Sequence, residues 1–176
     1  MRKIDLHLHT KPSPHSDSAF VFSLNKLKEY VEKLGIDCIA VTNHNLFDLN
    51  QFNQISEELN ITVLPGIEID LEGGHLLLIS ENEELEDFNI KCNQIEGLIK
   101  SKTDFINLQQ LNDIFNDLSK YLLIPHYDKS PVIRTEIIEQ LKPLITAGEV
   151  TSAKKFKYCL KDADSLVPVL FSDLIF

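Results

Sequence analysis

The run MRKIDLHLHT places His7 and His9 two positions apart at the end of a strand-like stretch, with Asp5 before them and Thr10 behind. Residues i and i+2 of a strand share a face, so both imidazoles point the same way. On an interior face, two unpaired rings are costly to bury. Metal coordination removes that cost, because neutral imidazole is a good ligand for zinc, iron or manganese. The other histidines repeat the pattern. His44 stands in TNHN, His75 in GHLLLI and His126 in IPHYDK, each beside a short apolar run. Carboxylates occupy matching places: Glu68 in PGIEID, Glu149 in ITAGEVTS and Asp173 in FSD, with His15 and Asp17 just after the first run. Singly, each has an ordinary explanation. A lone strand histidine is usually a hydrogen-bonded core residue, His44 between asparagines suits a turn, and Glu68 after Pro65-Gly66 suits a helix cap. Together they exceed the needs of one ion and predict two or three divalent metals bridged by a carboxylate.

Such a cluster needs a scaffold that brings many strand ends to one place. Short apolar runs alternate with longer amphipathic ones along the chain. KIDLHL, IDCIAVT, ITVLPGIEI, HLLLIS, YLLIPH, ITAGEVTS and LVPVLFSD read as seven strands. SLNKLKEYVEKLG reads as a helix capped by Ser23 and stopped by Gly35, and LFDLNQFNQISEEL as another. The stretch 83–120 is helical in two pieces broken near 101–104. A helix runs from Pro131 through Leu141, and AKKFKYCLK forms a short one. The alternation predicts an α/β fold, a distorted (β/α)7 barrel with a parallel sheet. It is irregular where the fourth strand follows the third too closely for a helix, and it lacks a closing helix after the seventh. In such a barrel the chemistry sits at the carboxyl ends of the strands, which is where these side chains fall, except His75, close to the start of its strand.

At 176 residues and 43% apolar content the chain is expected to form one domain, residues 1–176, with no linker or repeat. A formal charge of −10 argues against a broad nucleic-acid surface. Charge is nonetheless locally basic near Lys129, Arg134 and Lys154 to Lys157, which leaves room for a phosphate-bearing ligand. No long apolar run or signal-like start predicts a membrane segment. Cys38, Cys92 and Cys159 are odd in number and widely spaced, so free buried thiols and a cytoplasmic protein are expected.

DLHLHT, VTNHN, PGIEID and GHLLLI, with weaker support from IPH and FSD, resemble the PHP (polymerase and histidinol phosphatase) domain family of metal-dependent phosphoesterases. The resemblance implies a distorted seven-stranded barrel holding two to three divalent ions of zinc, manganese or iron. It implies that His7 and His9 bind one metal with Glu68 and Asp173, and that Glu68 bridges to a second held by His75 and His126. Asp17 and His44 would hold a third, with His15 competing for the place of Asp17. Glu68 and Asp173 are the implied catalytic residues. Two positions depart from the family pattern. Asn43 stands where an aspartate usually precedes His44, and Ile175 stands at the last ligand position, which would leave the third site poorly filled.

The implied activity is metal-assisted hydrolysis of a phosphoester, on a nucleotide, a nucleic-acid end or a small phosphomonoester. Lys129, Arg134 and Glu149 are further candidates; the first two read more simply as surface charges. An amidohydrolase-type enzyme also begins with His-x-His on a barrel strand, but no lysine ends PGIEID or HLLLIS to bridge its metals. A structural module of a larger protein, for example one with an ATPase region, remains the other alternative. Further domains or partner chains would then accompany this one.

Overall fold

The computed structural model describes residues 2–162 and 164–176. The chain runs through β1 (Ile4–His9), α1 (Leu24–Leu34), β2 (Cys38–Val41), α2 (Leu49–Glu58), β3 (Thr62–Leu71) and β4 (Gly74–Ile79). It continues through α3 (Leu85–Leu98), α4 (Leu108–Phe115), β5 (Leu122–Asp128), α5 (Thr135–Leu141), β6 (Ala147–Val150), α6 (Ala153–Cys159), β7 (Val167–Val169) and β8 (Leu174–Ile175). The strands form one curled eight-stranded sheet, ordered β7-β6-β5-β4-β3-β2-β1-β8, as a distorted, incompletely closed barrel.

Local chemistry explains the helix ends. The Ser23 hydroxyl accepts the Lys26 amide at 3.4 Å, and Gly35 ends α1 at φ 61°, where a side chain would be strained. Asp48 caps α2 by accepting the Gln51 amide at 2.9 Å, which sets where that helix begins. Helix faces carrying Leu27, Val31, Phe52, Ile55, Phe88, Ile95, Leu111 and Phe115 bury against Leu8, Ile39, Ile67, Ile69, Leu76 and Leu78 of the sheet. A smaller apolar cluster consists of strand residues alone: Leu6, Ala40, Leu77, Ile79 and Ile124. By alternation Leu77 and Ile79 share a face with His75, and Ile124 shares one with His126. The face away from the helices is therefore apolar along part of its length and polar at the mouth.

Three sequence expectations change. The sheet is not wholly parallel: β4 runs antiparallel to both β3 and β5, because too few residues separate β3 from β4 for a crossover. That reversal is why His75, at the start of its strand, reaches the same rim as the ends of the others. The expected seventh strand is two pieces. Residues 170–173 carry the chain from β7 across to β1, where the Ser172 amide donates to Asp5 Oδ1 at 3.1 Å and the Phe176 amide to the His9 carbonyl at 3.0 Å. Asp173 turns the chain there at φ 51°.

The helix expected from Pro131 begins at Thr135 instead. Residues 131–134 form a loop whose Ile133 amide bonds the His126 carbonyl at 3.1 Å. That loop packs directly on Gly74, where a Cβ would collide with the Ile133 backbone nitrogen. Among the described residues no helix is long and apolar enough to cross a membrane. The cysteines are unpaired; Cys92 and Cys159 are buried, whereas Cys38 is only half-buried.

Candidate metal centre

Glu68 is the middle of the rim. It is 1% exposed on β3, and five imidazoles surround its two oxygens. Oε2 lies 3.0 Å from His7 Nε2, 3.2 Å from His9 Nε2 and 3.2 Å from His44 Nε2. Oε1 lies 2.6 Å from His75 Nδ1 and 3.2 Å from His126 Nε2. Backbone pairing fixes this convergence: His44 bridges to Glu68, and the Glu68 amide bonds the Asn43 carbonyl at 3.0 Å.

On the β1 side, His7 Nε2 and His9 Nε2 face each other at 3.2 Å, and Asp173 Oδ1 lies 3.3 and 3.1 Å from them. The other nitrogen of His7 meets Glu149 Oε2 at 2.8 Å. Glu149 stands opposite His126 in the β5–β6 pairing, and its Oε1 takes the Lys129 ammonium at 2.8 Å. Lys129 also reaches Asp173 Oδ2 at 3.0 Å. It is 8% exposed, so the expectation of a surface charge is corrected: two carboxylates on neighbouring elements draw it inward.

The β2–β4 side is more open. Asp70 and His75 are direct cross-strand partners, and their Oδ1 and Nε2 lie 2.9 Å apart. The Asn45 amide donates to Asp70 Oδ2 at 2.8 Å, and the Asp70 amide donates back to Asn45 Oδ1 at 2.9 Å. Asn45 holds this position at φ 54°, a conformation asparagine tolerates. Asp17 Oδ1 comes within 3.7 Å of His44 Nε2. Among the described residues His15 makes no hydrogen bond or ion pair with the cluster. Arg134 is exposed at the start of α5 and packs beside Gly73. Asn43 does not touch the His44 ring. Its oxygen accepts the amides of Thr10 and Lys11 at 2.6 and 2.8 Å, tying the loop after β1 to the end of β2.

Electrostatics follow the geometry. Burial disfavours a charged His7, yet its bonds to Glu149 and Glu68 outweigh this and raise it to about 9 in the metal-free protein. Burial likewise opposes charge on His75, and Asp70 and Glu68 raise it to about 9. Burial would raise Glu68 and Glu149; hydrogen bonds from His126 and His7, with others, hold Glu68 well below its usual range and bring Glu149 to about 2. His44 is lowered, by burial first and then by the neighbouring His9 and His75.

This arrangement fits divalent cations. Ligands bound at 2.0–2.2 Å around one ion stand about 3 Å from each other, which is how far His7 Nε2 and His9 Nε2 stand from one another and from Glu68 Oε2 and Asp173 Oδ1. Four triads offer ligand atoms close together: His7-His9-Glu68, Glu68-His75-His126, His7-His126-Glu149 and His44-Asp70-His75. His9 Nδ1, His44 Nδ1 and His126 Nδ1 are buried without a hydrogen-bond partner, and each of these rings turns its Nε2 toward Glu68. Among the described residues, five carboxylates stand at this rim, Asp17, Glu68, Asp70, Glu149 and Asp173, and only the last two pair with an ammonium, that of Lys129.

The PHP domain model matches residues 5–133. The chain belongs to the PHP domain family. No curated protein matches it by sequence. Solved structures share the fold. PsfC from Pseudomonas syringae superposes with a TM-score of 0.62 at 15% identity, over 98% of this chain and 75% of that one. A protein from Bifidobacterium adolescentis, classed provisionally as a metal-dependent phosphoesterase, gives 0.56 at 14% identity, over 98% and 87%. For a PHP domain, the β6 carboxylate and the Asn45–Asp70 pair are the residues sequence reading underused. The signal for Asp70 was present: in PGIEID it stands two residues after Glu68, on the same strand face.

Proposed function

We propose that this PHP domain is a metal-dependent phosphoesterase with a multinuclear centre bridged by Glu68. The observation that carries the reading is the cage of four donors, in which His7 Nε2 and His9 Nε2 stand as far from one another and from Glu68 Oε2 and Asp173 Oδ1 as ligands of one ion do. Glu68 with His75 and His126 would hold a second ion. Zinc, manganese or iron there would supply Lewis acidity and a water activated near neutral pH.

The chain's own groups prepare that chemistry. Glu149 Oε2 and the Lys129 ammonium both meet His7 Nδ1, at 2.8 and 2.9 Å, which turns Nε2 toward the cage. Lys129 fixes both Glu149 and Asp173. Asp173 is 42% exposed, the carboxylate of the cage nearest solvent, and is placed to accept a proton from the attacking water. A cavity of about 380 Å³ adjoins His44, Asp70 and His75, with Lys102 on its wall to meet an anionic substrate. Its size suits a small phosphoester such as a nucleotide or a phosphomonoester.

Metal analysis of protein purified without chelator, paired with a screen of phosphomonoesters and phosphodiesters, tests the reading. The expected result is at least two ions per chain and metal-dependent release of phosphate or alcohol. Metal-loaded protein inert to the whole screen would instead mark a structural module.

A further inference from the structure

Asp70 has a carboxylate that neither the cage nor Lys129 uses. Its Oδ1 faces His75 Nε2 at 2.9 Å, and its Oδ2 takes hydrogen bonds from Asn45 and, at 3.3 Å, from Ser16. His44 completes a triad of ligand atoms with these two residues. Asp17 stands at 3.7 Å from His44 on the same side. Among the described residues no lysine or arginine pairs with Asp70 or Asp17, in contrast to Glu149 and Asp173. The triad opens on the cavity of about 380 Å³ and so has a route for an ion. Ile175, which offers no lone pair, sits across the rim beside His9 in the β1–β8 pairing and is 57% exposed.

We propose that Asp70, with His44 and His75, forms a further divalent cation site, so that a β3 carboxylate supplies the ligand that Ile175 cannot. The proposal rests on the metal-dependent reading above. Its chemistry turns on the two nitrogens of His75. A neutral imidazole coordinates through one nitrogen and donates through the other. In the proposed state Nε2 coordinates beside Asp70 and Nδ1–H donates to Glu68, so His75 serves this ion instead of the second one, which keeps Glu68 and His126. In the opposite state Nδ1 coordinates beside Glu68, and Asp70 merely receives the Nε2–H and orients the ring.

Asp70→Asn separates these states, because asparagine still accepts a hydrogen bond but is a poor ligand for a divalent ion. Protein stripped with chelator, reloaded with Mn²⁺ and dialysed is assayed for metal per chain and by the Mn²⁺ paramagnetic resonance signal. Expected is the loss of about one equivalent from the wild-type count. His44→Ala should lose the same equivalent, and the double variant no more. Wild-type stoichiometry in Asp70→Asn overturns the proposal, as does loss of every ion. Should Asp70→Asn not fold, Asp70→Ser is counted in its place: an unchanged count overturns the proposal and a single lost ion supports it. Wild-type protein that binds three ions yet hydrolyses no phosphoester would sink the proposed activity and leave this site standing. Protein that binds none would sink both.

Discussion

The two flanks of Glu68 differ in how they balance charge. Toward β1, β6 and β8, Glu149 and Asp173 share the ammonium of Lys129, and their imidazole neighbour His7 is fully buried. Toward β2 and β4, Asp17 and Asp70 pair with no lysine or arginine among the described residues; their ionisable neighbours are His44 and His75, 16% and 17% exposed beside an open cavity. One flank carries a cation of its own, whereas the other is arranged to receive one from solution. A buried carboxylate without a counter-charge is expensive. Glu149, 1% exposed, therefore has its counter-charge built in, whereas Asp17 and Asp70 beside the cavity do without.

The largest effect should come from the residue both flanks share. Glu68→Gln removes the carboxylate that contacts all five imidazoles. Metal content after dialysis should fall below that of His44→Ala, and hydrolysis should be lost. Equal metal content in those two variants would contradict a bridging role. Next comes Lys129→Met, which breaks the closed flank alone. Removing one partner of a buried pair leaves Glu149 with the His7 imidazolium as its remaining counter-charge, so the metal-free protein should lose up to about 3 kcal/mol of unfolding free energy. Added Zn²⁺ should restore more stability to this variant than to the wild type. A denaturation midpoint unchanged in the absence of metal would show that the ammonium does not balance this flank.

Those variants also show what the sequence made legible. The alternation of short apolar runs with amphipathic ones announced the curled sheet, and Ser23 and Gly35 announced the ends of α1. His7, His9, His44, Glu68, His75, His126 and Asp173 could be picked from strand ends, and the structure gathers their side chains at one rim. What stayed hidden depends on contacts between elements distant in sequence. Lys129 looks like a loop charge until Glu149 and Asp173 are seen on either side of it. Asp70 looks like the last polar residue of a strand until the β3–β4 pairing sets it opposite His75. The break between β7 and β8 likewise depends on Asp5, whose carboxylate accepts the amide of Ser172 from 167 residues along the chain.

A smaller effect concerns protons, one from each flank. His7 and His75 are both raised to about 9 in the metal-free protein, from an ordinary value of 6.5. A raised folded-state value means that their contribution to stability is full below 6.5 and fades as pH rises through 9. Coordination requires neutral imidazole, so metal binding at about pH 7.5 should release about two protons. Titration calorimetry in two buffers of different ionisation enthalpy measures that number. Release should decline toward about pH 10, and apparent affinity should climb up to about pH 9 and then level. Binding near neutral pH without proton release would mean that neither ring is charged before the metal arrives.

The smallest expected effect is at Ile175, and it tells the flanks apart most finely. Ile175 pairs with His9 across β1 and β8 and is half-exposed at the rim. Residues in register on neighbouring strands present their side chains to the same face, so Ile175→His would bring another imidazole to the mouth. If Asp70 already completes the open-flank site, no further ion has to be recruited. The count of metals per chain should stay at the wild-type value, with at most a several-fold tighter binding of one ion as a new nitrogen joins an existing shell. If that site lacks a ligand in the wild type, the substitution should add one equivalent. Metal analysis of Ile175→His beside Asp70→Asn and the pair combined distinguishes these cases. A gain of a full ion in Ile175→His alone would mean that the open flank waits for the carboxy-terminal strand after all.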